Sequence, residues 1–143
     1  MFKINYFSDL YDELRFPIAN ENKVGLRNAQ IGAIHAVASH ATLNLSESAV
    51  IVMPTGSGKT TVVMMAPYLL KKNKVLIVTP SSLVRSQIAS DYASLKTLKN
   101  IEVFSKNIKT PIVYEAKHLY CNSDDKKILN ANVVVATHQV ASS

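Results

Sequence analysis

The segment Met53-Pro54-Thr55-Gly56-Ser57-Gly58-Lys59-Thr60 constrains this chain more than anything else in its 143 residues. Two glycines one residue apart let the backbone turn through conformations closed to other residues, so successive N–H groups can converge on one point. A β-branched run, Ala49-Val50-Ile51-Val52-Met53, leads into the loop as an expected central strand, and a helical pattern from Lys59 to Lys72 leads out of it. Lys71, Lys72 and Asn73 close that helix. At such a junction the free amides and the helix dipole favour an anion. With Lys59 placed to reach β- and γ-phosphates and the Thr60 hydroxyl placed to ligate Mg²⁺, the expected anion is a nucleotide triphosphate, ATP. Thr55, Gly56, Ser57, Gly58, Lys59, Thr60 and Thr61 make up the expected cofactor-binding run, with Lys59 as its catalytic residue and Thr60 as its metal ligand. The general pattern Gly-x-x-x-x-Gly-Lys-[Ser/Thr] asks for glycine where this chain has Met53, and Gly56 takes over part of the turning.

Strand and helix patterns alternate on both sides of the loop. Arg27 to about Thr42 suits a largely buried helix, and Asn44 to Ser48 is a polar break. Downstream come a strand at Val75–Val78, a helix over Ser82–Leu95, a weaker strand at Ile101–Phe104 and a strand at Ala131–Ala136. The polar stretch between the last two strands gives no periodic signal. This alternation predicts an α/β domain, a parallel sheet with flanking helices. Residues 1–24 read as an N-terminal extension, with Phe7, Leu10, Tyr11 and Leu14 at helical spacing, Pro17 interrupting, and a loop over Asn20–Gly25. Residues 25–143 read as the nucleotide-binding lobe.

Composition narrows the setting. A 48 % apolar content is that of an ordinary globular protein. The single Cys121 excludes an internal disulfide framework and reads as a half-buried filler in a reducing compartment. The longest apolar stretch, Val62–Leu70, falls far short of the ~20 residues of a spanning helix, and the N-terminus lacks the order of a signal peptide. The expectation is a soluble, cytoplasmic protein with no membrane partner. A net charge of +6 suits a polyanionic partner or a solubilising surface equally. His35, His40 and His118 are read as lacking metal-ligand spacing with cysteine or acidic partners, which argues against zinc.

Four segments in order resemble the superfamily-2 helicases and translocases, near the DEAD/DEAH-like and type III restriction-subunit branch. Pro54–Thr60 looks like that family's motif I, whose first position is often not glycine. Leu26-Arg27-Asn28-Ala29-Gln30 is similar to its Leu-Arg-x-x-Gln segment, in which the glutamine amide reads the adenine edge. The resemblance therefore adds Arg27 and Gln30 to the cofactor-binding set. Val75–Gln87 looks like motif Ia, a turn that grips the sugar-phosphate backbone, which implies nucleic-acid contacts at Thr79, Pro80, Ser81 and Arg85. Simple helix capping by Ser81 or Ser82 would use the same hydroxyls, and the two roles can coexist. Val133–Val140 resembles the strand and Thr-x-Gln turn that also touches the backbone, which carries over to Thr137. Together these imply a P-loop NTPase lobe of RecA-like fold, with ATP and Mg²⁺ as cofactors and a nucleic acid, DNA ahead of RNA, as partner.

Hydrolysis in this class also needs an acidic pair at a strand end. Met53 is followed by the loop, Val78 by Thr79-Pro80, Phe104 by Ser105-Lys106 and Ala136 by Thr137-His138, so no expected strand delivers Asp-Glu. Asp124 and Asp125, before Lys126-Lys127, read as a solvated turn. In the resembled family the acidic motif follows the Thr-x-Gln turn. The expectation is thus an amino-terminal part of an ATP-dependent motor, its lobe incomplete at the C-terminal end and inactive in hydrolysis alone. Its apolar sheet edge would favour self-association, a protein partner or the rest of a longer chain. Two other readings stand beside it: a stand-alone, non-hydrolysing nucleotide or nucleic-acid binding module, and a phosphoryl-transfer kinase, which leaves the Thr79-Pro80 and Thr137 segments unexplained.

Overall fold

The computed structural model describes residues 5–43 and 46–143. The start of the N-terminal segment and the first two residues of the polar break, 44 and 45, lie outside the described residues. In chain order the elements are α1 (Tyr6–Asp9), α2 (Asn28–Thr42), α3 (Lys59–Leu69), β1 (Val75–Thr79), α4 (Ser82–Ser94), α5 (Lys96–Asn100), β2 (Val113–Ala116), α6 (Asp125–Asn130), β3 (Val133–Thr137) and α7 (His138–Ala141). Two compact units share them. The first holds the residues up to Lys72 together with Thr97–Asn107, and the second holds Asn73–Lys96 and Ile108–Ser143.

The first unit is helical and centres on aromatic rings. Tyr68 of α3 meets Tyr6, Phe7 and Phe104 edge-on at centroid distances of 5.7, 4.8 and 4.9 Å, the geometry that ring quadrupoles favour. The hydroxyls of Tyr6 and Tyr68 lie 2.9 Å apart, so the polar tips are bonded where the rings are buried. Burial pushes the Tyr6 phenol up to about 12, against the opposing effect of its Tyr68 bond. The expected amphipathic N-terminal helix is shorter in the structure: α1 ends at Asp9 and a 3₁₀ turn covers Tyr11–Glu13. Gly25 lies where the chain passes within van der Waals distance of residues 17–19, since a Cβ there would sit 2.7 Å from the Pro17 carbonyl oxygen.

Two expected strands are corrected in this unit. Ile101–Phe104 is not a strand but the end of α5. The Val103 N–H donates to the Leu98 carbonyl (2.9 Å), the Glu102 N–H donates to Lys99 (3.1 Å), and Glu102 has φ +64°. That is a Schellman termination, and it turns Val103 and Phe104 inward, where both are buried. The run Ala49–Met53 forms no strand either and joins no ladder among the described residues. A strand exists through its hydrogen-bonded neighbours. Without them Val50 and Val52 are 88 % and 89 % exposed, and only Met53 is buried.

The second unit is a three-stranded parallel sheet in the order β1-β3-β2. β3 is central, and all five of its residues are buried, as expected for a parallel strand covered on both faces. α4 lies against all three strands through its buried face of Arg85, Ile88, Ala89 and Tyr92. β2 arises from the stretch that carries no periodic signal, because Glu115 interrupts its apolar pattern. On the sheet face bearing Leu76, Val134 and Ala136, a cavity of about 440 Å³ opens between the strands and α7. Parallel sheet and flanking helices agree with the α/β class. No helix among the described residues is long and apolar enough to cross a membrane.

Candidate functional site

The glycine loop adopts the conformation its sequence permits. Gly56 and Gly58 have φ +76° and +86°, the left-handed region that costs a side-chain-bearing residue about 1–2 kcal/mol. Ser57 closes the turn, its N–H and its hydroxyl both donating to the Pro54 carbonyl at 3.2 and 2.6 Å. Gly58 is the N-cap of α3, and the N–H groups of Lys59 and Thr60 have no partner among the described residues. Lys59, Thr60 and Thr55 are exposed, whereas Thr61 is buried with its N–H on the Gly58 carbonyl (3.2 Å). The loop thus brings free amides, a helix N-terminus and an exposed ammonium group together within three residues, Gly58 to Thr60. Such a combination suits phosphate oxygens.

Arg27 and Gln30, far upstream in sequence, lie on this loop. Arg27 caps α2, and its N–H donates to Gln30 Oε1 at 2.8 Å, which fixes the amide. Gln30 Nε2 then donates to the Gly58 carbonyl (3.2 Å), and Arg27 Nη1 donates to the Gly56 carbonyl (2.8 Å). A Cβ on Gly58 would come within 2.2 Å of Gln30 Nε2 and 2.6 Å of Arg27 Nη2. Backbone angle therefore favours glycine at 58, and a side chain there would also have to displace the ends of Gln30 and Arg27 from the loop. An amide has two donors and two lone pairs, so Gln30 keeps one of each beyond these bonds.

In the second unit, Thr79 and Thr137 end β1 and β3 and are register partners at the carboxyl edge of the sheet. Both are buried; the Thr79 hydroxyl is held by backbone carbonyls, at 3.1 Å from Ser81 and 3.3 Å from Ala136. Pro80 and Ser81 are exposed, and Ser81 Oγ accepts from the Val84 N–H (3.3 Å), capping α4. Arg85 departs from its expected place. Instead of standing free to offer charge, it is buried and ion-paired to Glu115 of β2, with Nε to Oε1 at 3.0 Å. The Ser86 hydroxyl donates to the same oxygen at 2.6 Å. That Ser86 bond first, and then Arg85 and Lys117, hold the Glu115 carboxyl below the usual carboxylate range against its desolvation.

Sequence reasoning missed a cluster after β2. Asp124 is buried, not solvated: it accepts from the Cys121 N–H (3.0 Å) and from the Tyr114 hydroxyl (3.1 Å). Cys121 is exposed instead of serving as an apolar filler, and its Sγ lies 3.3 Å from Asp124 Oδ2. His118 Nε2 lies 3.7 Å from Asp124 Oδ1, so this histidine does have cysteine and acidic neighbours. The legible signal was the spacing, three residues from His118 to Cys121 and three more to Asp124. β2 itself runs into Lys117-His118, so among the described strands none ends in Asp-Glu.

The family model of the type III restriction enzyme, res subunit, matches residues 23–143. The chain belongs to that family. The match spans all four segments on which the resemblance rests, from Leu26-Arg27-Asn28-Ala29-Gln30 to the Thr137 turn. Among solved structures, the res-family chain is similar to the UvsW helicase from bacteriophage T4, at 20 % identity and a TM-score of 0.55. The likeness covers 94 % of this chain and 43 % of that one. It establishes for this res-family chain the fold of a helicase RecA-like lobe, and the chain spans less than half the length of that structure. No curated protein matches the chain.

Proposed function

We propose that this chain holds ATP and Mg²⁺ on the loop Thr55–Thr61 as part of an ATP-dependent nucleic-acid helicase or translocase. The observation that carries the reading is the convergence of Arg27 and Gln30 on the Gly56 and Gly58 carbonyls. That bonding pins a loop whose two glycines are left-handed and whose following N–H groups, at Lys59 and Thr60, have no partner among the described residues. In this account the amides and Lys59 take the β- and γ-phosphates, the Thr60 hydroxyl ligates Mg²⁺, and the remaining donor and acceptor of Gln30 meet the adenine edge. Arg27 adds a cation beside the phosphates. The Thr79-Pro80-Ser81 turn and Thr137, paired at one sheet edge, contact the sugar-phosphate backbone of DNA, while Arg85 braces α4 against β2 through Glu115. Family membership and the likeness to a structure described as a helicase support the motor reading.

A second reading has one observation in its favour. With no described strand ending in an acidic pair, the chain alone binds nucleotide without hydrolysing it. Calorimetric titration with ATP·Mg²⁺ tests the shared claim. Lys59→Ala should lose about 2 kcal/mol of affinity or more, on the order of thirtyfold in Kd, because it removes one partner of a charged pair. Unchanged binding in that variant overturns the assignment. Steady-state ATPase by these residues alone, abolished in Lys59→Ala, would reject the non-hydrolysing reading.

A further inference from the structure

We propose that His118, Cys121 and Asp124 form a binding site for one transition-metal ion of the zinc class, separate from the Mg²⁺ expected at the nucleotide. One ligand atom from each residue lies within 4.8 Å of the other two. A tetrahedral ion with bonds of the usual length to nitrogen, sulfur and oxygen needs ligand-to-ligand edges of about 3.3–3.6 Å. His118 Nε2 stands 3.7 Å from Asp124 Oδ1 and Cys121 Sγ stands 3.3 Å from Oδ2, near those edges though on the two different oxygens of one carboxylate.

The surrounding bonds favour a metal over a chance meeting of side chains. His118 Nδ1 is 2.9 Å from the Leu119 carbonyl oxygen, an acceptor only, so Nδ1 carries a proton and Nε2 is the ring atom that turns toward Asp124. That arrangement is the usual support of a metal-binding histidine. Asp124 is fixed by the Cys121 N–H and the Tyr114 hydroxyl, and its side chain is only 4 % exposed. His118 and Cys121 are exposed, which gives an ion a way in. A mixed nitrogen, sulfur and carboxylate set selects Zn²⁺, Co²⁺ or Ni²⁺ and is a poor set for Mg²⁺ or Ca²⁺, which prefer all-oxygen shells. On binding, the Cys121 thiol gives its proton to solvent as the sulfur–metal bond forms. Three protein ligands leave the fourth position to water. Such an ion would tie the loop leaving β2 to the 3₁₀ turn Asn122–Asp124 that opens α6.

Titration of the whole chain with Co²⁺ tests this, because cobalt reports thiolate ligation by a charge-transfer band and tetrahedral geometry by its visible bands. The expected result is saturation at one ion per chain, with Zn²⁺ displacing cobalt and Mg²⁺ leaving the spectrum unchanged. Cys121→Ser should abolish the charge-transfer band. His118→Gln should weaken binding by about tenfold or more, as loss of even a supporting contact does at metal sites. Both residues are exposed, so neither change threatens the fold, and circular dichroism confirms that. Absence of the band at millimolar Co²⁺ overturns the proposal, as does equal affinity in wild type and His118→Gln, which would mean an isolated thiol. Lys59→Ala should bind cobalt as wild type does, and this keeps the result independent of the nucleotide site.

Discussion

At the scale of single residues, the two loop glycines make separable demands. At Gly56 a Cβ would meet open space, so alanine there suffers only the backbone penalty of φ +76°. At Gly58 the same penalty is joined by the need to push Gln30 and Arg27 off the loop. Gly56→Ala should therefore cost about 1–2 kcal/mol in urea unfolding, and Gly58→Ala should cost more. Equal losses would mean that Gln30 and Arg27 move aside for a Cβ at 58 without cost. Glu115 makes a pH-dependent contribution in the other unit. Its folded pKa is lowered, so the stabilisation is fully present above the ordinary glutamate value and is lost as pH falls through the depressed one. Glu115→Gln should cost about 1–2 kcal/mol at pH 7, since Arg85 is left buried and unpaired, and the gap from wild type should close as pH falls through the depressed Glu115 value. A gap independent of pH would show that packing, not charge, sets the effect. Some residue roles were plain in the sequence and others were hidden. Gly56 and Gly58 announce a left-handed turn by their types alone, and both adopt it. Asp124 lies in a run, Asp-Asp-Lys-Lys, that looks solvated, and only the return of Tyr114 and Cys121 buries it.

Elements show the same division for a physical reason. α2, α3, α4, β1 and β3 follow their apolar periodicity closely, because each buries one continuous face or run. Ile101–Phe104 has the composition of a strand and the structure of a helix ending. Composition reports burial, and burial is shared by strands and inward turns. The cue that distinguishes the two, a left-handed residue after α5, is usually a glycine and here is Glu102. Lys71 ends α3 the same way, with its N–H on the Tyr68 carbonyl and the Lys72 N–H on Pro67. The ammonium of Lys71 lies 4.3 Å from the centre of the Tyr11 ring, which offsets part of the strain there. Glu102 is exposed, with no comparable ring contact among the described residues. Glu102→Gly should consequently raise stability by about 1 kcal/mol, seen as a higher urea midpoint at unchanged slope. A lower midpoint would mean that the left-handed geometry is not adopted in solution.

At the scale of the whole molecule, family membership, RecA-like fold and glycine loop all agree with an ATP-binding protein, and no strand among the described residues ends in an acidic pair. The run Ala49–Met53 belongs at this scale too. Its β-branched residues suit a strand, yet no neighbour pairs with it among the described residues, so sequence pattern and observed structure part company where long-range pairing decides the outcome. The glycine loop is held without that ladder, because Arg27 and Gln30 bond directly to the Gly56 and Gly58 carbonyls. This is the claim on which the functional account stands, and amide NMR reads it residue by residue. Titration with ADP·Mg²⁺ should shift the backbone resonances of Thr55–Thr61 and the side-chain amide of Gln30, and Lys59→Ala should suppress those shifts. Resonances of the loop that stay unmoved at saturating nucleotide, with or without changes elsewhere, would contradict it.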